Sequence, residues 1–145
     1  MPLPRSALYA QGEDLHVAIW PGGLHNTGDI TRFLAKEGRS YVISVSGCLQ
    51  KSDIPKDSPA AAMLTHCPDV LANGGSCIAG PDGAWLVEPA TGREELLVAT
   101  LDHLQIRRER QNFDLAGHYS RPDVTELIVN RSRQSTVRFV NENRD

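Results

Sequence analysis

Little in this chain would hold a metal, cross a membrane or grip nucleic acid. Its 145 residues include only 3 cysteines, Cys48, Cys67 and Cys77, with no Cys-x-x-Cys pair. An odd, scattered set signals neither a disulfide framework nor a structural zinc site. A set joining His66 to the three cysteines has no recognised metal-ligand spacing. No cofactor is implied, and a reducing cytoplasm is the simplest setting. No apolar run is long enough to span a bilayer, and Met1-Pro2-Leu3-Pro4-Arg5 lacks the basic-then-apolar order of a signal peptide. No Gly-x-Ser-x-Gly elbow or phosphate-binding loop is present. The net charge of -3 argues against nucleic acid as a partner. Arginines of the second half, among them Arg107, Arg108 and Arg110, are interleaved with acids such as Asp102, Glu109 and Asp114, the pattern of a solvated surface.

What is present reads as one soluble domain, 40% hydrophobic and 23% charged. Its centre is Leu15-His16-Val17-Ala18-Ile19-Trp20, a strand halted by Pro21-Gly22-Gly23. Apolar side chains on both faces suggest a strand covered on both sides. Ligands of α/β sheets sit beyond the carboxyl ends of strands, which makes Trp20 and Pro21 a candidate pocket wall. A plain core aromatic is the competing reading of Trp20.

Before this strand, Ser6–Gln11 reads as a helix closed by Gly12. After it, Asp29 is the expected N-cap of a helix over Ile30–Glu37 that buries Ile30, Phe33 and Leu34, with Gly38 as its stop. Tyr41–Gly47 is the next strand, and helix-strand-helix-strand predicts parallel strands joined by crossovers. Gln50–Gly75 is expected to be irregular, with a helical turn near Ala60–Leu64. Ser76–Ala79 and Ala84–Glu88 form a hairpin about Gly80-Pro81-Asp82-Gly83. Pro89–Arg93 reads as a turn, Glu94–Leu101 as a strand, and Asp102 as the cap of a helix to about Arg110. A loop through Asp123 leads to a last strand over Thr125–Asn130. Residues 131–145 form a polar tail in which Val137, Phe139 and Val140 suit an edge strand.

Several motifs, taken in order, resemble the nitrilases among the carbon–nitrogen hydrolases. The most specific is Phe113-Asp114 with Gly117-His118-Tyr119-Ser120-Arg121-Pro122-Asp123 and Val129-Asn130-Arg131. Met1-Pro2-Leu3, Ala7-Leu8-Tyr9-Ala10-Gln11-Gly12, Val17-Ala18 with Trp20, Glu37-Gly38-Arg39-Ser40-Tyr41-Val42, Gly74-Gly75-Ser76 and Pro81-Asp82-Gly83 are similar too. The resemblance implies an α/β fold, the C-terminal half of an α-β-β-α sandwich. It also implies hydrolysis of a nitrile to acid and ammonia through a cysteine thioimidate and thioester. The family's cysteine lies in a Cys-Trp-Glu-Asn-Tyr-Met-Pro-Leu type motif, and its glutamate and lysine lie further upstream. None of the three falls within this sequence, so no catalytic residue is assigned and the chain is expected to be inactive alone.

The resemblance further implies that Trp20, Pro21 and His25 wall a substrate pocket. It makes Pro4–Gln11 and Asp29–Glu37 a two-fold contact, and Gln50–Gly75 an insertion that joins subunits. A homo-oligomer, or association with the missing N-terminal half, is expected. In isolation His118 looks like a base or zinc ligand; within its motif it reads as ordering a turn, with Arg121 and Asp123 paired across Pro122. Cys77 reads as an inert core thiol, whereas Cys48, after Gly47 at a strand end, is the one cysteine placed for an independent thiol hydrolase. A non-catalytic subunit of a nitrilase-like complex is the remaining alternative.

Overall fold

The computed structural model describes residues 2–132 and 135–137. Along the chain come α1 (Pro2–Tyr9), β1 (Leu15–Trp20), α2 (Leu24–Gly38), β2 (Tyr41–Ser46), β3 (Cys48–Gln50), α3 (Pro59–Met63), β4 (Val70–Ala79), β5 (Trp85–Thr91) and α4 (His103–Asn112). β1 and β2 run parallel, Leu15 facing Tyr41 and Trp20 facing Ser46, as expected for strands joined by a crossover helix. The rest of the sheet is antiparallel, with β4 pairing β2, β3 and β5. The result is a mixed α/β sheet, the fold class that the resemblance implies.

The long β4 organises the antiparallel half. Ser44 faces Cys77 and Cys48 faces Asn73, four residues on along one strand and four back along the other. β2 and β3 therefore follow one line along β4, interrupted at Gly47. The Ser76 hydroxyl fills the gap, accepting from Ser46 N (3.0 Å) and donating to Ser46 O (3.1 Å). Gly74 and Gly75 sit there at φ 84° and 102°, which an L side chain rarely adopts. Those glycines read as loop punctuation in the sequence; they are irregularities within a strand. The irregular segment thus starts after β3 and ends at Val70 rather than running to Gly75. Pro89 also belongs to a strand, β5, and not to a turn.

α2 differs from its expected bounds at both ends. It begins at Leu24 behind Gly23, not behind Asp29, because its first N–H is capped from β4: Leu24 N donates to Asn73 Oδ1 at 3.0 Å. Its end turns at Arg39, in the left-handed region at φ 50°. Gly38 is needed for another reason, since a Cβ there would lie 2.6 Å from the Tyr9 ring. The buried side chains of α2 are Thr27, Thr31, Leu34 and Ala35. Phe33, expected in the core, is exposed, with the Arg5 guanidinium 5.8 Å from its ring centroid.

The core cluster is Ala18, Leu34, Ala35, Val42 and Ala79, with Trp20, Ile30 and Trp85 packed against it. A period of two sends Ala18, Trp20, Val42 and Ala79 toward α2 and their neighbours to the opposite face. On that face α4 covers the amino ends of β1 and β2. Asp102 caps α4 by accepting from Leu104 N (2.9 Å), and the Tyr41 hydroxyl bonds Asp102 and Gln105. Arg110–Asp14 and Arg39–Glu109 ion pairs, both 2.9 Å, tie α4 down.

Two expected strands are absent. Glu94–Leu101 has no regular structure; Leu97, Ala99 and Leu101 are half-buried between exposed neighbours, but the segment pairs with no strand among the described residues. Thr125–Asn130 likewise forms no ladder and is exposed. Val137 is in no strand, and Phe139 and Val140 lie outside the described residues. No helix among the described residues is long and apolar enough to cross a membrane.

Candidate functional site

The carboxyl ends of the parallel pair β1 and β2 converge on a corner of glycines. Gly22 (φ 127°) approaches β4 so closely that a Cβ would lie 2.5 Å from Ala72 Cβ and 2.8 Å from Gly47 O. Gly23 N donates to Gly74 O at 3.0 Å, stitching the corner to the kink in β4. The Asn26 side chain donates back to Gly22 O at 3.2 Å. This corner fixes where β1 ends and α2 begins.

Trp20 faces α2. Its Nε1–H donates to Ser44 Oγ at 3.2 Å, and its ring packs against the core cluster. Ser44 belongs to a buried polar network with Thr27, Thr31 and Cys77. Thr31 Oγ1 lies 2.5 Å from Thr27 O and 2.6 Å from Ser44 Oγ, and Cys77 Sγ donates to Thr31 Oγ1 at 3.7 Å. Burial pushes the Cys77 thiol pKa up, the state of a structural thiol. Pro21 and His25 are exposed, with the His25 ring folded back over Gly23.

The opposite face carries different groups. Ile19 and Val45 are cross-strand neighbours at the carboxyl ends, 81% and 47% exposed, and Val17 beside them is 57% exposed. Alternation along β1 could have located Ile19, since Trp20 on the covered side places its neighbour on the open one. Beside Val45 lies a cavity of about 330 Å3 lined by Gly47, Cys48, Gly74, Ser76 and Ala90. Cys48 is half-buried there and its Sγ donates to Arg93 O at 3.7 Å. No basic side chain among the described residues bonds it, so the geometry offers a thiol but no thiol–base pair. Cys67 lies away from this corner, in the irregular segment beside His66. Among the described residues no group of His, Cys, Asp and Glu is placed to hold a metal ion.

The motif at 117–123 is exposed, and Ser120 and Pro122 line a groove beside α1. Its turn is ordered by Asp114, whose Oδ1 accepts from Ala116 N (3.1 Å) and Gly117 N (3.0 Å). Sequence reasoning gave that ordering to His118, whose ring lies against Tyr119 with centroids 4.9 Å apart and planes tilted by 57°. A Cβ on Gly117 would lie 2.6 Å from Asp114 Oδ2, so a side chain there would have to displace the carboxylate that orders the turn. Arg121 grips Asp123 with two bonds, 2.8 and 2.6 Å, across Pro122. These residues do not meet Trp20 or Cys48 in one site.

No family model matches the chain. Curated proteins do. An aliphatic nitrilase of Sinorhizobium fredii is 36% identical over 138 residues, covering 94% of this chain and 44% of that protein. Nitrilase 2 of Arabidopsis thaliana is 35% identical over 147 residues, 98% of this chain and 43% of its own length. A nitrilase of Talaromyces marneffei is 33% identical over 146 residues, 89% and 44% respectively. The chain thus spans less than half the length of these relatives. Across nearly all of its own length, the chain is similar in sequence to nitrilases and folds as a mixed α/β unit.

Proposed function

We propose that this chain is the C-terminal half of a nitrilase-like carbon–nitrogen hydrolase, supplying scaffold and pocket wall for a reaction whose nucleophile, base and lysine lie outside residues 1–145. The parent reaction is hydrolysis of a nitrile to carboxylic acid and ammonia through a cysteine thioimidate and thioester. The observation that carries the reading is the uncovered sheet face. α2 packs on one side of the sheet, while Val17, Ile19 and Val45 stand exposed on the other. A strand that is apolar on both faces calls for a layer on each. Glu94–Leu101, which pairs with no strand among the described residues, half-buries alternate residues Leu97, Ala99 and Leu101. The occupant is the N-terminal half of the sandwich or, without it, another copy of the chain. The setting is cytoplasmic.

Ammonia release from aliphatic and aromatic nitriles tests this. The purified chain is expected to give none. Release that disappears in Cys48→Ser would replace this reading with an independent thiol hydrolase using the cavity beside Val45. A reading frame directly upstream ending in Cys-Trp-Glu-Asn-Tyr supports a divided nitrilase; without one, the non-catalytic subunit is favoured.

A further inference from the structure

We propose that the cavity beside Val45 is a binding pocket for the hydrocarbon group of an uncharged small molecule. On the nitrile-hydrolysing reading above, on which this identity rests, that group is the alkyl or aryl part of the nitrile. The cavity holds about 330 Å3, more than the roughly 150 Å3 that suffices for benzene in an apolar cavity. It exists because two glycines meet there. A Cβ on Gly74 would lie 3.1 Å from Cys48 Sγ and 3.0 Å from Ala90 O, closing the space between them. At Gly47 a Cβ would meet nothing within 4 Å.

The lining decides the chemistry. Val45, Cys48 and Ala90 present hydrocarbon and one thiol between the two glycines. Val45 and its cross-strand neighbour Ile19 are both exposed, so an apolar strip adjoins the cavity. The polar groups make no demand on a guest. Ser76 Oγ accepts from Ser46 N and donates to Ser46 O, and the Cys48 thiol donates to Arg93 O at 3.7 Å. Ser46 Oγ has no partner but is closed to solvent, and so to a guest. Arg93 Nε pairs with Glu95 at 2.7 Å, and Arg93, Glu94 and Glu95 are all exposed. A charged guest would exchange water for groups already paired or hydrated, whereas a hydrocarbon guest gains by leaving water.

Cys48 is a handle for testing the unaltered chain, with Cys67, in the irregular segment, as an internal comparison. The chain is equilibrated with bis(2-hydroxyethyl) disulfide, 2-mercaptoethanol and an equal concentration of butanethiol, 2-phenylethanethiol or 3-mercaptopropionate. Peptide mass spectrometry reads the ratio of each adduct to the hydroxyethyl adduct at both cysteines. The butyl and phenylethyl ratios at Cys48 are expected to exceed those at Cys67 by at least about fivefold, one buried CH2 being worth about fourfold. The carboxyethyl ratio should show no such excess. Ala90→Leu fills the cavity and should abolish the preference, with buried Cys77 unlabelled as the sign of a folded chain. If Cys77 reacts, Val45→Ser, at an exposed position, decides, and should lower the preference at least about twofold. Equal ratios at the two cysteines, a carboxyethyl excess at Cys48, or a preference untouched by Val45→Ser overturns the proposal. The ratios need no turnover, so ammonia release by the chain alone would overturn the reading above without altering them.

Discussion

Tyr9 joins the first helix to the end of the second. Its hydroxyl donates to Glu37 Oε2 at 2.9 Å, and Arg5 reaches the same oxygen through Nε and Nη2 at 3.1 and 2.9 Å. Its ring lies flat on Gly38. Burial, reinforced by the bond to Glu37, pushes the phenol up to about 12 from an ordinary 10.0. The folded state therefore keeps this proton where the unfolded chain loses it, and stability should hold up to about pH 10 and fall between there and about pH 12. Urea unfolding across that range should show the fall, and Tyr9→Phe should flatten it while costing about 1 kcal/mol at neutral pH. Gly38→Ala should cost more, about 1–3 kcal/mol, because its methyl must displace a buried ring. A Gly38→Ala protein as stable as the parent would mean that the close approach relaxes freely.

α2 is held to the sheet by hydroxyls as much as by hydrocarbon. Thr31 bonds Ser44, which in turn accepts from Trp20, so the two hydroxyls form one unit. Thr31→Val and Ser44→Ala should each cost about 1–3 kcal/mol, since each strands a buried polar partner. The double variant should cost less than their sum by at least about 0.5 kcal/mol, measured in a double-mutant cycle by urea unfolding. Strict additivity would separate the two groups energetically. This element also shows what local pattern could and could not reveal. The parallel β1–α2–β2 unit was legible, because apolar runs and glycine stops are local signals. The true start of α2 was not, because its cap, Asn73, arrives from 49 residues away. Nor were its buried threonines, which look polar until Ser44 is placed opposite them. Glu94–Leu101 reads as an apolar strand, yet a strand is a property of a pair, and among the described residues no partner adjoins it. At the candidate site, the glycine corner after Trp20 was evident from sequence. Which face Trp20 takes depended on α2, and that placement leaves Ile19, a residue sequence reasoning passed over, on the open side.

At the scale of the whole molecule, two apolar surfaces stand open to water among the described residues. One is the open sheet face with Ile19 and Val45; the other is the outer side of α1 and α2, where Phe33 is 52% exposed. An uncovered layer of this kind drives association until the apolar area is hidden. Ile19→Glu separates the two. At 81% exposure the change should leave the unfolding free energy within about 0.5 kcal/mol of the parent. In an assembly that stacks a second layer on the sheet, the same carboxylate is buried without a partner, at a cost of several kcal/mol. Sedimentation equilibrium should then show association weakened by at least about tenfold. Phe33→Glu should leave that association nearly unchanged. The reverse outcome, with Phe33→Glu dissociating the assembly and Ile19→Glu inert, would move the primary contact to the helices. The sheet would then have to be covered by some other means, because Val17, Ile19 and Val45 would still face water on the free chain.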